Sequence, residues 1–235
     1  MSESFRFKQF EIDQEGAAQK VGTDSVLLGS WIKQHSCKSV LDIGCGTGIL
    51  ALMMAQRFPE ALIDAVEIDE TAYGCAVKNA ENSVFQNRVS VYHQKIQDFN
   101  PDRTYDLIIT NPPFFSGGHK SPTLQRSVAR HNDTLTHEEL LSVSALLLNE
   151  KGALNLILPV KEADSFSLKA VKYGLYKTGI CNVIPIPDKA PNRVMLTLKK
   201  ETTNQLSVEK IVLRNTDRTY SEAYKSLTKD FYLNL

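Results

Sequence analysis

Val40-Leu41-Asp42-Ile43-Gly44-Cys45-Gly46-Thr47-Gly48 joins a short apolar run to a loop with glycine at every second position. The apolar run is typical of a buried strand, and residues 49–58 continue with an apolar pattern typical of a helix. Glycines let the loop turn sharply and approach a ligand closely, and the first turn of the helix offers free N–H groups. The stretch therefore predicts a strand-loop-helix unit with a candidate ligand site.

Strands and helices alternate on both sides of this unit. Strands are predicted at 40–43, 62–66, 89–92, 107–109 and 153–158, with β-rich stretches at 180–186 and 194–198. Helices are predicted at 49–58, 71–82, 136–148 and 162–173, the third opened by a capping box at Thr136. Residues 5–12 predict one short strand, and Thr23 or Asp24 is expected to cap a helix that ends near Ile32. The alternation predicts an α/β fold with a doubly wound, mainly parallel sheet.

Composition excludes several classes of protein. The 235 residues carry 27 basic and 27 acidic side chains, so net charge does not indicate a nucleic-acid partner and does not exclude one. The four cysteines are scattered without a C-x-x-C pair, which predicts neither a zinc site nor disulfides and favours a reducing cytoplasm. The first residues lack a signal sequence, and no apolar run approaches about 20 residues, so we expect no membrane segment.

Two acidic positions indicate the kind of cofactor. Asp42 lies two residues before the first glycine, where its charge would repel a pyrophosphate but attract an ammonium group such as that of S-adenosylmethionine. Glu67 directly follows the second apolar strand, where an acidic side chain can accept hydrogen bonds from ribose hydroxyls. Two alternatives stay open: the glycine loop is a tight turn without a ligand, and Asp69 only caps the next helix.

Thr110-Asn111-Pro112-Pro113-Phe114 follows the fourth strand. Two prolines fix φ and remove two backbone donors, so the chain must leave the sheet here and present Asn111 at the carboxyl edge. Open α/β sheets bind their ligands at this edge. The stretch indicates a rigid site that holds a planar amide or amine against an electrophile. The alternative is a turn that only ends a strand.

Together these motifs resemble the class I S-adenosylmethionine-dependent methyltransferases, in the branch that modifies amino groups. The D-x-G-x-G-x-G loop, the V-E-I-D strand end and N-P-P-F occur in the order of that branch. Residues 20–28, Tyr220-Ser221-Glu222-Ala223-Tyr224 and Phe231-Tyr232 extend the resemblance over nearly the whole chain. In these stretches the chain is similar to the bacterial tRNA1(Val) adenosine-37 N6-methyltransferase family. The resemblance implies a seven-stranded, Rossmann-like sheet with a small N-terminal flap.

The resemblance also implies a cofactor site for S-adenosylmethionine. Glycines of the loop would pass under the cofactor, Asp42 would lie near its methionine end, and Glu67 would bind its ribose. The family usually has an acidic residue near the adenine amine, but Lys95 stands there, so Gln97, Asp98 or a backbone group would take that role. The implied cofactor-binding residues are Thr23, Asp24, Asp42, Gly44, Cys45, Gly46, Gly48, Glu67, Ile68, Ile96 and Asn111.

Catalytic and RNA-binding residues are implied in the same way. Catalysis is expected at Asn111, Pro112, Pro113 and Phe114, with the Asn111 side chain and the Pro112 carbonyl accepting the amine hydrogens. Phe114 would stack on the base. Candidates for RNA binding follow in sequence, although the arginines among them could equally pair with acidic neighbours; they are Lys120, Arg126, Arg130 and His131.

We therefore expect a cytoplasmic, monomeric enzyme that methylates the N6 amine of an adenosine in tRNA and needs no metal. Residues 1–235 would form a single methyltransferase domain, with a cofactor-covering flap at 1–35, a Rossmann-like core at 36–200 and a C-terminal strand and helix at 201–235. Two other amine substrates stay open: guanine N2 in ribosomal RNA and a glutamine amide in protein. A protein that binds cofactor and RNA without catalysis is the alternative from another class.

Overall fold

The computed structural model describes residues 4–17, 21–112 and 135–233. Within these ranges an N-terminal hairpin precedes alternating strands and helices, as the sequence pattern predicts. The strands are β1 (Ser4–Arg6), β2 (Glu11–Asp13), β3 (Ser39–Ile43), β4 (Leu62–Glu67), β5 (Val89–His93), β6 (Tyr105–Thr110), β7 (Leu148–Pro159), β8 (Tyr176–Ile184), β9 (Arg193–Lys199) and β10 (Ser207–Val212). The helices are α1 (Thr23–Trp31), α2 (Ile49–Arg57), α3 (Glu70–Glu81), α4 (His137–Leu147), α5 (Val160–Val171) and α6 (Glu222–Thr228).

The main sheet is mostly parallel, which confirms the predicted fold class. Its strand order is β10-β8-β9-β7-β6-β3-β4-β5, and β9 alone runs antiparallel to its neighbours β7 and β8. The expected count of seven strands is wrong, because the described residues place eight in this sheet. The additional strand, β10, pairs in parallel with β8 along its whole length. This pairing satisfies backbone groups that would otherwise be exposed at the edge of β8.

The strand order reverses direction between β3 and β6. From β3 the chain proceeds outward through β4 and β5, and then returns to place β6 on the other side of β3. Asp42 of β3 pairs in register with Ile109 of β6. The residues that follow these two strands therefore lie side by side at the carboxyl edge, in the crevice where open α/β sheets bind their ligands.

Helices cover both faces of the sheet. One face packs against α1, α2, α3 and α6 together with the N-terminal hairpin, and the other packs against α4 and α5. Within α1, Val26, Leu27 and Leu28 are completely buried. This helix belongs to the hydrophobic core, so its side chains have fixed positions relative to the sheet.

The N-terminal region differs from its prediction in two ways. Residues 5–12 form an antiparallel hairpin instead of one strand, because the Phe7 N–H donates to the Phe10 carbonyl at 2.8 Å and reverses the chain. Neither Thr23 nor Asp24 caps α1; the helix begins after Gly22, which has no side chain to donate or accept. The predicted capping box of α4 is confirmed, because the side chains of Thr136 and Glu139 each bind the other's backbone N–H.

Within the described residues no helix is long and apolar enough to cross a membrane. The same ranges hold no group of three or more His, Cys, Asp or Glu side chains arranged to bind a metal ion.

Candidate active site and cofactor cleft

The glycine loop follows β3 at the carboxyl edge of the sheet. Gly44, Gly46 and Gly48 have φ angles of +66°, +57° and +83°, which disfavour any side chain. A Cβ atom built on Gly44 or Gly46 would meet no atom of the described residues within 4 Å, whereas one on Gly48 would lie 3.4 Å from Ala76 of α3. The backbone of the first two glycines therefore lines open space, and the third lets α2 and α3 pack closely.

Glu67, at the end of β4, anchors this loop. Its Oε2 accepts the Gly46 N–H at 2.8 Å, and its Oε1 accepts the N–H groups of Ile68 and Asp69, both at 2.9 Å. The carboxylate thus links the ends of β3 and β4, and Glu67 is only 9% exposed. The neighbouring Asp69 caps α3 by accepting the Ala72 N–H at 2.9 Å, so its interpretation as a helix cap is confirmed.

Asp42 lies beneath the glycine loop and is completely buried. Its Oδ2 accepts the Ala51 N–H of α2 at 2.9 Å, but its Oδ1 has no partner among the described residues. Burial, together with the nearby Glu67 carboxylate, raises the pKa of Asp42 to about 8. The pKa of the adjacent Cys45 thiol is also raised, by burial and by the same two carboxylates, so this cysteine is not a reactive thiolate.

Replacing Asp42 with asparagine is expected to remove a pH dependence of stability. Because its pKa is about 8 in the folded protein and about 4 in an unfolded chain, the folded state holds a proton between these values that the unfolded state has released. The free energy of unfolding therefore falls as pH rises from about 4 to about 8, by up to about 1.4 kcal/mol per pH unit.

Urea denaturation of the wild type and Asp42→Asn at pH 5, 6.5 and 8 measures this effect. As pH rises, the free energy of unfolding of Asp42→Asn should increase relative to that of the wild type. Asp102→Asn is the control, because Asp102 is exposed and its loss should leave the pH dependence unchanged. Parallel pH profiles for the wild type and Asp42→Asn would contradict the raised pKa.

The side of the crevice beyond Glu67 has an exposed apolar side chain. Ile68 is 42% exposed, and its carbonyl lies 3.0 Å from Nε2 of His93, whose ring stacks on Tyr73. Ile96, the other predicted apolar contact, is only 6% exposed. Ile68 therefore offers a ligand more apolar surface than Ile96 does.

One candidate for the adenine amine already has a partner. The pKa of Glu139 is lowered by hydrogen bonds from Thr136, by a hydrogen bond from the Gln97 side chain and by the Lys95 charge. Gln97 therefore faces α4. The Gln97 carbonyl oxygen can still accept a hydrogen bond, so the choice among Gln97, Asp98 and a backbone group for the adenine amine stays a prediction.

Asn111 lies directly beside the glycine loop. Before it, the Thr110 hydroxyl donates to the Ile43 carbonyl at 2.8 Å, which joins the end of β6 to the end of β3. The Asn111 Nδ2 donates to the Ser25 hydroxyl of α1 at 3.0 Å. Asn111 is partly exposed and Pro112 is buried. The side-chain amide is therefore held at the edge of the open space that the loop lines.

These residues fit S-adenosylmethionine. The described residues leave open space beside Gly44 and Gly46 for a ligand. Beneath and beside it lie the Asp42 and Glu67 carboxylates, and one oxygen of Asp42 has no partner among the described residues. Two close acidic groups repel each other, so a bound cation stabilises them, and S-adenosylmethionine carries a sulfonium and an ammonium group.

Comparison with known proteins agrees with this geometry. The sequence model of the methyltransferase small domain family (MTS) matches residues 17–163. A tRNA1(Val) (adenine(37)-N6)-methyltransferase from Flavobacterium psychrophilum is 43% identical over an alignment of 235 positions, which covers 98% of this chain and 100% of that protein. A protein of the same name from Pedobacter heparinus is 42% identical, over 99% of each chain. The chain belongs to the tRNA1(Val) (adenine(37)-N6)-methyltransferase family.

Solved structures resemble this family member in fold. A predicted O-methyltransferase from Agrobacterium tumefaciens superposes with a TM-score of 0.68 at 18% identity, covering 88% of this chain and 96% of that one. The glycopeptide N-methyltransferase MtfA, which was solved with S-adenosylmethionine, has a TM-score of 0.56 at 11% identity and covers 78% and 90%. At these identities the likeness concerns the fold alone.

The first turn of α1 lies at the crevice in this tRNA methyltransferase family member. Asp24, which with Thr23 was predicted to close the methionine side of the cofactor, accepts a hydrogen bond from Nε of Arg193 at 2.8 Å in an ion pair with β9. Sequence reasoning missed Arg193, because nothing near it in sequence indicates a partner 169 residues away. It also missed Ser25, although this residue lies within the stretch 20–28 that carries the family resemblance.

Some predicted site residues lie outside the described ranges. They are Pro113 and Phe114 of the N-P-P-F motif and the four RNA-binding candidates, Lys120, Arg126, Arg130 and His131. Their roles stay predictions. The structure brings together the glycine loop, Glu67 with Ile68, and Asn111 with the first turn of α1.

Proposed function

We propose that this protein transfers a methyl group from S-adenosylmethionine to the exocyclic N6 amine of adenosine 37 in tRNA1(Val). The observation that carries the proposal is the position of Asn111, held beside the open glycine loop by the ends of β3 and β6. Identity of about 40% over the full length of relatives with this name supports the choice of amine and of RNA.

Asn111 would orient the amine. The lone pair of an exocyclic amine is delocalised into the adenine ring, so the nitrogen is a poor nucleophile until hydrogen-bond acceptors draw its hydrogens out of the ring plane. The Asn111 Oδ1 and the Pro112 carbonyl would accept one N–H each, which directs the lone pair toward the methyl group. When bound, the cofactor supplies that methyl group on a positively charged sulfur. The chain's own contribution is then mainly positioning.

The base must leave its stack to reach this site. Extruding a base costs a few kcal/mol, and the cost is lowest in a single-stranded loop such as that of an anticodon arm. Phe114 would stack on the extruded base. The RNA backbone would be held by Lys120, Arg126, Arg130 and His131, whose positive or polar side chains suit phosphate oxygens.

We further propose that the protein acts as a monomer in the cytoplasm, where its tRNA substrate is found. Residues 1–235 would act as a single methyltransferase domain, with residues 1–35 covering the cofactor and 201–235 extending the core. Light scattering of the purified protein, with and without tRNA, tests the oligomeric state. A stable dimer in both conditions would contradict it.

Methyl transfer to RNA tests the reaction itself. The purified protein is incubated with methyl-labelled S-adenosylmethionine and total RNA from cells that lack its gene, and the RNA is digested to nucleosides. We expect the label in N6-methyladenosine, from the tRNA fraction. Label in N2-methylguanosine or in protein alone would contradict the proposed substrate. No label, with cofactor and RNA both bound, would indicate a non-catalytic binding protein.

A further inference from the structure

The hydrogen bond between Ser25 and Asn111 directs the NH₂ end of the Asn111 amide toward α1. Asn111 Nδ2 donates to Ser25 Oγ at 3.0 Å. The Oδ1 atom accepts no hydrogen bond from the described residues. An amide that faced the substrate with its NH₂ group would present donors to the hydrogens of the amine, and would repel them.

Both partners of this bond have little freedom to move. Ser25 is 8% exposed in the first turn of α1, whose following residues Val26 to Leu28 are completely buried. The preceding residue, Asp24, is tied to β9 through its ion pair with Arg193 at 2.8 Å. On the other side, the Thr110 hydroxyl binds the Ile43 carbonyl at 2.8 Å and fixes the backbone before Asn111. The amide is therefore held between the helix and the sheet.

We propose that Ser25 is a positioning residue for methyl transfer: its hydroxyl oxygen holds the Asn111 NH₂ group, so that Oδ1 faces the amine to be methylated. This inference rests on the proposed function, because it gives Asn111 the role of acceptor. Ser25 need not contact the cofactor or the RNA. Without its hydroxyl the amide can rotate, and only some orientations present an acceptor.

Ser25→Ala tests this role through a separation of kinetic constants. We expect kcat for tRNA methylation to fall by about fivefold to tenfold, which corresponds to the loss of about one hydrogen bond. The KM for tRNA and the Kd for S-adenosylmethionine should stay within about twofold of the wild-type values. Ser25→Thr keeps the hydroxyl and should restore kcat to within about twofold of the wild type.

Ser30→Ala is a matched control on the same helix. Ser30 is 4% exposed, and its hydroxyl has no partner among the described residues, so its removal should leave kcat unchanged. An unchanged kcat for Ser25→Ala would overturn the proposal. An equal loss in Ser30→Ala, or a Ser25→Thr variant as slow as Ser25→Ala, would also overturn it. If Ser25→Ala weakened cofactor binding by the same factor as it lowered kcat, the substitution would have displaced α1 instead of releasing the Asn111 amide, and the proposal would be overturned.

The wild-type enzyme in the same assay separates this inference from the proposed function. If the wild type does not methylate adenosine in tRNA, the proposed function is wrong, and the inference fails with it. If the wild type is active and Ser25→Ala is equally active, the positioning role alone is wrong.

Discussion

Asn111→Ala is expected to lower kcat for tRNA methylation by about 100-fold to 1000-fold, while the Kd for S-adenosylmethionine stays within about threefold. The expected size of the fall in kcat follows from the cost of removing a preorganised hydrogen-bonding group from a catalytic site. Alanine removes the Oδ1 acceptor and also the donor to Ser25, whose bond measures 3.0 Å. Single-turnover methyl transfer gives the rate, and calorimetry gives the cofactor affinity.

Two variants sharpen this test. Asn111→Asp keeps acceptor oxygens at the same position and should retain more activity than Asn111→Ala. Asn149 lies on β7 at the opposite edge of the sheet, where its Nδ2 donates to Asp106 at 2.6 Å, so Asn149→Ala should leave kcat unchanged. Near-normal activity of Asn111→Ala would contradict the mechanism.

Glu67→Ala is expected to weaken S-adenosylmethionine binding by about 10-fold to 100-fold. The carboxylate accepts three backbone N–H groups at 2.8–2.9 Å and holds the glycine loop against β4. A hydrogen bond to a charged group contributes about 1.5–3 kcal/mol. The loss of one such bond therefore corresponds to a change in Kd of about 10-fold to 100-fold. The substitution also removes the proposed acceptor for the ribose hydroxyls. Isothermal titration calorimetry measures the change in Kd.

The control for Glu67 is an acidic residue close by. Glu70 is exposed in the first turn of α3, so Glu70→Ala removes the same charge without touching the loop. It should change the Kd by less than about twofold. If Glu67→Ala left the cofactor affinity unaltered, neither the contact of Glu67 with the glycine loop nor its assigned contact with the ribose would determine binding.

Local patterns predicted the elements that form the crevice. Alternating apolar strands and helices predicted the parallel sheet, because buried parallel strands need continuous apolar runs. Glycine spacing predicted a sharply turning loop, and the structure gives each of these glycines a positive φ. The capping box at Thr136 and the helix cap at Asp69 were also predictable, since each depends on residues within three positions.

The sequence did not predict features that depend on contacts with a distant part of the chain. The pattern of residues 207–212 does not reveal that this segment pairs with β8 as an eighth strand, because pairing depends on an edge formed elsewhere. The burial of Asp42 beneath the loop was also not predictable, because it depends on the packing of α2 on β3; its implied place near the methionine end of the cofactor stays a prediction.

The sequence by itself determined the alternation of strands and helices from β3 to α5, the glycine loop and the amide at the end of β6, because these depend on near neighbours. Only the tertiary structure decided which groups meet at the site. Ser25 binds Asn111 across 86 residues, and Asp24 pairs with Arg193 across 169. The physical reason is that burial of α1 brings its first turn to the carboxyl end of β6 and to the amino end of the antiparallel strand β9, and no local pattern encodes that packing.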